Sequence, residues 1–256
     1  MSRTFAPHPG AAPMHRMVRA QTSMETRLLL RNGEQLVLAV VIPLVVLVAG
    51  VYAAGSLELT DADPVQVLTP GVLALAVMST SFTSLAIATG FERRYGVLKR
   101  LGSSPLPRSG LLAGKVLALF AVQLLQFVLI AAAAVAIGWR PSPGLTGVAG
   151  AVTCVLAGTA AFASLGLLLA GILRAEATLA AANLVYVVLL IAGAVIVPPS
   201  AYGQVGWALT LLPSGALGSG LRESLGAGHL PWLHLVVLIV WAALGGMLTA
   251  RTFRWE

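Results

Sequence analysis

Long uninterrupted apolar runs dominate the pattern of hydrophobic and polar positions along the chain. A helix that crosses the hydrocarbon core of a bilayer needs about 20 consecutive apolar residues. Six runs meet this requirement: Leu36–Gly55, Thr69–Gly90, Gly114–Gly138, Gly147–Gly171, Thr178–Pro198 and Pro231–Ala250. Buried helices of a soluble protein are the weaker interpretation, because such helices normally keep one polar face. The pattern therefore predicts an all-α, polytopic membrane protein with six transmembrane helices.

The polar segments between and before these runs predict further elements. Met14–Arg31 mixes apolar side chains with four arginines, which is typical of an amphipathic helix lying along a membrane surface. A plain basic segment that holds anionic lipid is the alternative. Residues 199–230 are too broken by Gly and Pro to span, and both flanks lie on one side, so we expect re-entrant helices there before the last span. The chain thus divides into an N-terminal segment 1–35 and a six-helix domain 36–256, with a basic loop at 91–110.

The distribution of charge predicts the orientation. Only 10% of the residues are charged, whereas about a quarter are charged in soluble proteins. Of the 16 lysines and arginines, all but Arg140 and Arg222 fall on the side of the N-terminus, the 91–110 loop and the C-terminus. The positive-inside rule places that side in the cytoplasm, with both termini, and the protein in the cytoplasmic membrane. The net charge of +7 is thus a topology signal, and no motif of a nucleic-acid-binding protein accompanies it.

The sequence offers no catalytic constellation. The string nearest to a phosphate-binding loop, Gly110–Val116, has one residue too few between its glycines and ends in Val where Ser or Thr must reach magnesium. There is no HExxH, GxSxG or paired-cysteine motif, so we expect no catalytic residue, metal site or cofactor in this chain. Lys115 is the only formal charge in the six runs, which argues against proton-driven transport and against a channel with a charged filter.

Neutral polar residues within the runs form a second candidate set. Polar side chains in spans commonly join helices by hydrogen bonds, and this interpretation is favoured over the lining of a substrate path. The candidates for such a path are Thr80, Thr83, Ser84, Gln123, Gln126 and Asn183.

The basic loop carries a resemblance to a known family. Phe91–Leu101, followed by Ser104–Pro107 and Gly114-Lys115, resembles the corresponding loop of ABC-2-type transporter permeases, although Val97 stands where Thr is common. Arg27–Asn32 is similar to the connecting helix of that family, and Leu212–Leu217 with Leu221-Arg222 to its outer re-entrant region. The resemblance implies a coupling helix that docks on an ATPase subunit. The residues implied in this coupling are Glu92, Arg93, Arg94, Tyr95, Gly96, Leu98, Lys99, Arg100 and Leu101.

The resemblance also implies partners and an activity. Two permease subunits, as a homodimer or a heterodimer, would combine with two copies of a separate ATPase that binds ATP and magnesium. Such a complex would export an amphipathic drug, lipid or glycan-like substrate, and permeases of the daunorubicin-resistance type are similar in size and pattern. A membrane assembly or structural protein that transports nothing is the alternative, because passive helices with a basic docking loop would serve that role too.

The loop itself is expected to form one short helix from Glu92 to Leu101. At that spacing Tyr95, Leu98 and Leu101 lie near one face, surrounded by basic side chains. A solvated basic loop held on anionic lipid is the alternative. Gly96 would permit either the close approach of a partner or a local bend.

Overall fold

The computed structural model describes residues 12–31, 33, 40–56, 63–102 and 105–252. Every regular element in these ranges is a helix, which confirms the all-α prediction. The α-helices are α1 (Met14–Arg31), α2 (Ile42–Ser56), α3 (Pro64–Met78), α4 (Leu85–Arg94), α5 (Val97–Gly102), α6 (Arg108–Ala136), α7 (Gly144–Ile172), α8 (Ala175–Ala192), α9 (Gly206–Leu209), α10 (Pro213–Arg222) and α11 (Trp232–Thr252). Further elements are the π-helical segments Ser79–Ser84 and Glu223–Ala227 and the 3₁₀ helix Pro199–Val205.

Five helical stretches are long and apolar enough to cross a membrane. They are Pro64–Arg94, Ser109–Ala136, Gly144–Ile172, Ala175–Ala192 and Trp232–Thr252. The first predicted span corresponds to the shorter apolar helix α2, and residues 36–39 of that span lie outside the described residues. The polytopic helical architecture is therefore confirmed.

The second span is the central helix of the bundle. It runs continuously from α3 through the Ser79–Ser84 π-helix into α4, and α2, α6, α7 and α10 pack around it. The sequence placed its start at Thr69, but the helix begins at Pro64. There the Asp63 side chain accepts a hydrogen bond from the Val65 amide at 3.1 Å, and proline occupies the first turn. This N-cap and the pre-set proline backbone explain the earlier start.

The fifth span ends earlier than the apolar pattern suggested. The prediction extended it to Pro198, whereas α8 stops at Ala192 and the chain turns at Gly193 and Ala194, whose φ is 51°. The residues that follow remain apolar because Ala194 and Val195 are fully buried. Hydropathy alone cannot distinguish such a buried turn from the last turns of a helix.

The predicted re-entrant region contains a short helix deep in the bundle. Nearly all of α10 is buried between α3, α7 and α11. At its end, the Arg222 guanidinium donates hydrogen bonds to the carbonyls of Val67 at 3.2 Å, Val195 at 2.7 Å and Ile196. Arg222 thereby ties α10 to the central helix and to the buried turn after α8, where the carbonyls of Val195 and Ile196 lie outside any helix.

Helix α1 packs against α6 with its polar side inward. Gln21 and Glu25 are buried, while Met24 and Leu28 are exposed together with Arg27 and Arg31. An apolar face that carries arginines and points away from the protein suits the membrane interface better than water. A helix is thus confirmed at the predicted position, and its place at the membrane interface stays a prediction.

Candidate coupling site at the basic end of the bundle

The basic loop is a broken helix. Helix α4 ends at Arg94, Tyr95 leaves the helical region, and Gly96 adopts a left-handed φ of +68° before α5 begins at Val97. The prediction of one helix from Glu92 to Leu101 is therefore wrong. The left-handed residue ends the helix as glycine commonly does, and Gly96 thus provides a bend. Tyr95 lies outside both helices, so it does not share a helical face with Leu98 and Leu101.

Glu92 at the root of the loop joins a buried ionic network. Lys115 Nζ donates to Glu92 Oε1 at 2.6 Å and to Glu25 Oε1 at 2.9 Å. Gln21 Nε2 donates to the same Glu25 oxygen at 2.8 Å. The side chains of Lys115 and Glu25 are each 9% exposed. We call Glu25, Lys115 and Glu92 the ionic triad; it connects α1, α6 and α4.

Two glycines of α6 face α1, and one of them allows this network to form. A side chain at Gly114 would collide with Gln21, because an added Cβ would lie 2.5 Å from its Cγ. At Gly110, an added Cβ would lie 2.8 Å from Cε of Met14. Small residues permit helices to approach closely, so Gly114 brings the α1 backbone within reach of Lys115. This accounts for the Gly114-Lys115 pair that followed the loop motif in the sequence.

The next two loop residues bind two other helices. The Arg93 guanidinium donates to the carbonyls of Gly171 and Leu173, each at 2.6 Å. These carbonyls end α7, where unpaired acceptors and the helix dipole favour a cation. Arg94 forms an ion pair with Glu176 in the first turn of α8. Glu92 and Arg93, which the resemblance assigned to ATPase coupling, thus have partners within this chain.

Four polar side chains of the described part of the loop, on Arg94, Tyr95, Lys99 and Arg100, are exposed. Tyr95 is 63% exposed, and its ring stacks on Phe91 with centroids 6.2 Å apart. The Arg94 guanidinium carbon lies 5.7 Å from the centroid of the Tyr95 ring. Lys99 and Arg100 are exposed on α5, and Leu101 is half-buried. We call Arg94, Tyr95, Lys99 and Arg100 the basic surface, and the end of the bundle that carries it the basic end.

The neutral polar residues of the spans do not converge on one site. Thr80 donates to Gln126 at 2.8 Å, Gln123 donates to Ser81 at 2.7 Å, and Thr159 donates to Gln123 at 3.1 Å. These five side chains are at most 2% exposed. This arrangement joins the Ser79–Ser84 π-helical segment to α6 and α7, as the favoured interpretation of helix-joining hydrogen bonds requires.

The other three substrate-path candidates lie apart from this buried cluster. Thr83 and Ser84 are half-buried in the π-helical segment, and Asn183 is exposed on α8. The π-helical segment and α8 pack against each other. Within the described part of the chain, no group of three His, Cys, Asp or Glu side chains could hold a metal ion.

A comparison with protein families identifies the chain. The family model of the ABC-2 type transporter matches residues 17–225, which is most of the sequence. The match begins in α1, includes the ionic triad and the basic surface, and ends in the π-helical segment before α11. A comparison with curated proteins found no match. The helical architecture and the extent of this match show that the chain is a multi-pass membrane protein belonging to the ABC-2 type transporter family, whose members are the permease subunits of ABC transporters.

Proposed function

We propose that this permease exports an amphipathic drug, lipid or glycan-like molecule across the cytoplasmic membrane, driven by ATP hydrolysis on a separate subunit that docks on the basic surface. Two copies of that ATPase, each with ATP and magnesium, would serve two permease subunits in a homodimer or heterodimer. The observation that carries the proposal is the attachment of the exposed surface to the bundle. Glu92 and Arg93 precede it directly and bond to α6 and α7, and Arg94, its first residue, bonds to α8.

The chemistry of the basic surface suits a protein partner. An exposed aromatic ring with basic side chains around it supplies apolar contact area together with charge complementarity. Tyr95 is pre-ordered by its stacking on Phe91, which lowers the entropy lost on binding. An ATPase with an acidic groove is the partner that this combination favours. An anionic membrane surface would be attracted by the charges alone.

Two substitutions separate these partners. Tyr95→Ala removes the exposed aromatic ring but leaves the charge of the surface unchanged. It is expected to abolish ATPase association, whereas the attraction to anionic lipid would survive it. Lys99→Glu should weaken both. The matched control is Arg140→Glu, which reverses an exposed arginine in the connection between α6 and α7. Association is measured by co-purification of an ATPase carrying a phosphate-binding loop, and coupling by substrate-stimulated ATP hydrolysis after reconstitution.

Each outcome bears on the proposal. Purified alone, the permease should hydrolyse no ATP above background. If Tyr95→Ala still binds the ATPase and transports normally, the basic surface is not the docking site. If no ATPase co-purifies with the unaltered chain, the alternative of a membrane assembly protein gains support.

The proposed orientation places the basic end in the cytoplasm. A cysteine introduced at Ser103 would then react with a membrane-impermeant maleimide only from the cytoplasmic side, and one at Asp61 only from outside. Cys154 is buried, and its replacement by Ala removes any background. The reverse labelling pattern would contradict the orientation.

We place the substrate path along the surface where α8 meets the π-helical segment. Thr83, Ser84 and Asn183 are its candidate residues, because they keep exposed or half-exposed positions on these two neighbouring elements. A π-helical segment within a longer helix is frequently found at functional sites. Asn183→Leu should therefore change which substrates stimulate ATP hydrolysis. Leu184→Ala, at the next and similarly exposed position, serves as the control.

A further inference from the structure

A deep apolar cleft separates α6 from α7. Its volume is about 430 Å³, which lies within the range of small-molecule sites. Phe120 and Phe127 line it on α6, Val152 and Val155 line it on α7, and Leu221 closes it at the back. Along α6, the two phenylalanines are seven residues apart, so the cleft extends for about 10 Å along the helix axis.

The cleft lies in the half of the bundle opposite the basic end. Helix α7 ends at the basic end, and the lining on this helix runs from Ala151 to Leu156, in the half that begins far from that end. The hydrocarbon core of one leaflet is about 15 Å thick, half of the full core. The cleft therefore runs along the helices within a single leaflet.

The surroundings of the cleft indicate hydrocarbon and not water. Leu124 on α6 and Val152 and Leu156 on α7 line it and are 66%, 53% and 49% exposed, so they stand where a membrane-spanning bundle meets lipid. A buried water needs several polar partners. Gln123 is the polar lining residue, and its amide group already bonds to Ser81 and Thr159.

We propose that this cleft is a binding site for one acyl chain of a membrane phospholipid from the leaflet opposite the basic end. The chain enters sideways between Leu124 and Leu156 and packs against the aromatic rings of α6. Because Leu221 belongs to α10, a bound chain contacts the re-entrant helix and stabilises its position beside the central helix. The site concerns resident lipid and does not depend on ATP coupling.

Trp139 provides a direct probe of occupancy. It lines the cleft and is only 7% exposed, so lipid that merely surrounds the protein has little contact with it. The permease is placed in nanodiscs of phosphatidylcholine brominated near the middle of its acyl chains, because bromine quenches tryptophan by contact. The fluorescence of Trp139 is obtained by subtracting the tryptophan fluorescence of Trp139→Phe from that of the parent protein. We expect this Trp139 fluorescence to be lost in brominated lipid and retained in unbrominated lipid.

A matched pair of substitutions tests the location. Ala151→Phe puts a ring into the cleft, which has the space to receive it. Val148→Phe adds the same ring to an exposed position on the same helix, outside the cleft. Ala151→Phe should restore Trp139 fluorescence in brominated lipid, and Val148→Phe should not. In native mass spectrometry, the parent and Val148→Phe should retain a single phospholipid per chain, which Ala151→Phe loses.

Two results would overturn the proposal. The first is an unquenched Trp139 while Trp207 and Trp232, both 71% exposed, are quenched by the same lipid. The second is lipid retention by Ala151→Phe equal to that of the parent. Both measurements use the permease alone, so failure of ATPase docking would leave them unaffected.

Discussion

Replacing Lys115 by methionine would remove the cation of the ionic triad while keeping most of the volume of the side chain. Lys115 donates to Glu92 at 2.6 Å and to Glu25 at 2.9 Å, and the three side chains are 9–19% exposed. The variant leaves two carboxylates in a poorly hydrated contact between α1, α4 and α6. We expect α1 to detach from α6, because detachment lets water reach Glu25.

The magnitude follows from the burial. Removing one partner of a buried ion pair costs about 3–5 kcal/mol, because the remaining charge loses its compensation. Since about 1.4 kcal/mol corresponds to a tenfold change in an equilibrium constant, the open population of α1 should rise between about 100-fold and a few thousandfold. Gln21 donates to Glu25 in the same contact and recovers part of this loss, so we expect the lower figure.

Hydrogen exchange of the α1 amides measures this opening directly, since protection reports the free energy of local unfolding. Lys115→Met should accelerate exchange in α1, while α11, which packs on α7 and α10, keeps its protection. Lys115→Arg keeps the charge and serves as the control. Adding Glu25→Gln to Lys115→Met should slow the exchange again, because the one unpaired carboxylate on α1 is gone while Glu92 remains on α4. Exchange in Lys115→Met within threefold of the parent would refute the assignment of the triad as the main bond between α1 and the bundle.

Three further predictions concern the bend, the re-entrant helix and the polar cluster. Gly96→Ala should destabilise the bent form of the loop by about 1–2 kcal/mol, because Gly96 has a left-handed backbone; Gly96→Asn should cost less, since Asn tolerates that region. The ATPase would dock on the bent form, so its binding should weaken more in Gly96→Ala than in Gly96→Asn, and equal binding by both variants and the parent would contradict this. Arg222→Met should lower the melting temperature, at a cost of at least about 2 kcal/mol, because buried carbonyls lose their donors, whereas the exposed Arg140→Met should not. Gln126→Leu removes the acceptor of Thr80, so the free energy of unfolding should fall by roughly 0.6–1.7 kcal/mol while the substrate preference stays unchanged. A changed substrate preference at constant stability would show instead that the buried polar cluster lines the substrate path.

The spans were predictable because a helix must contain about 20 consecutive apolar residues to cross the bilayer, and runs of that length are visible in the sequence. Their ends were less predictable, for reasons that differ between sites. At Pro64, the start is set by one capping carboxylate, a signal present in the sequence as Asp63 but outside the apolar run. At Gly193, the helix ends within an apolar run, because the following turn is buried under α10 and needs apolar side chains as much as a helix does.

The loop that carries the proposed coupling site stands out in the sequence, but the bonds that attach this loop to the bundle do not. The loop motif located residues 91–110, yet the partner of Glu92 is Lys115 and that of Lys115 is also Glu25, 90 positions earlier in the chain. No local pattern encodes a pairing over that distance. The signal that was available is the isolation of Lys115, since a single charge at the edge of an apolar span requires a partner. The bend at Gly96 was left open by the sequence, because glycine is compatible with both a helix and a turn.

The order of the bonds along the loop suggests how a force applied to the basic surface by a docked partner would be transmitted to the helices of the bundle. Arg94 bonds to α8 through an ion pair whose side chains are 49% and 62% exposed, and such pairs contribute little. Arg93 and Glu92 bond to α7 and α6 through partly buried, charge-assisted contacts of 2.6 Å, which are the stronger type. A force applied at Tyr95 therefore separates α8 from the loop before it separates α6 or α7. Helix α4 also packs directly against both α7 and α8, so α8 would shift beside the proposed substrate path only as far as its packing on α4 and on the π-helical segment allows.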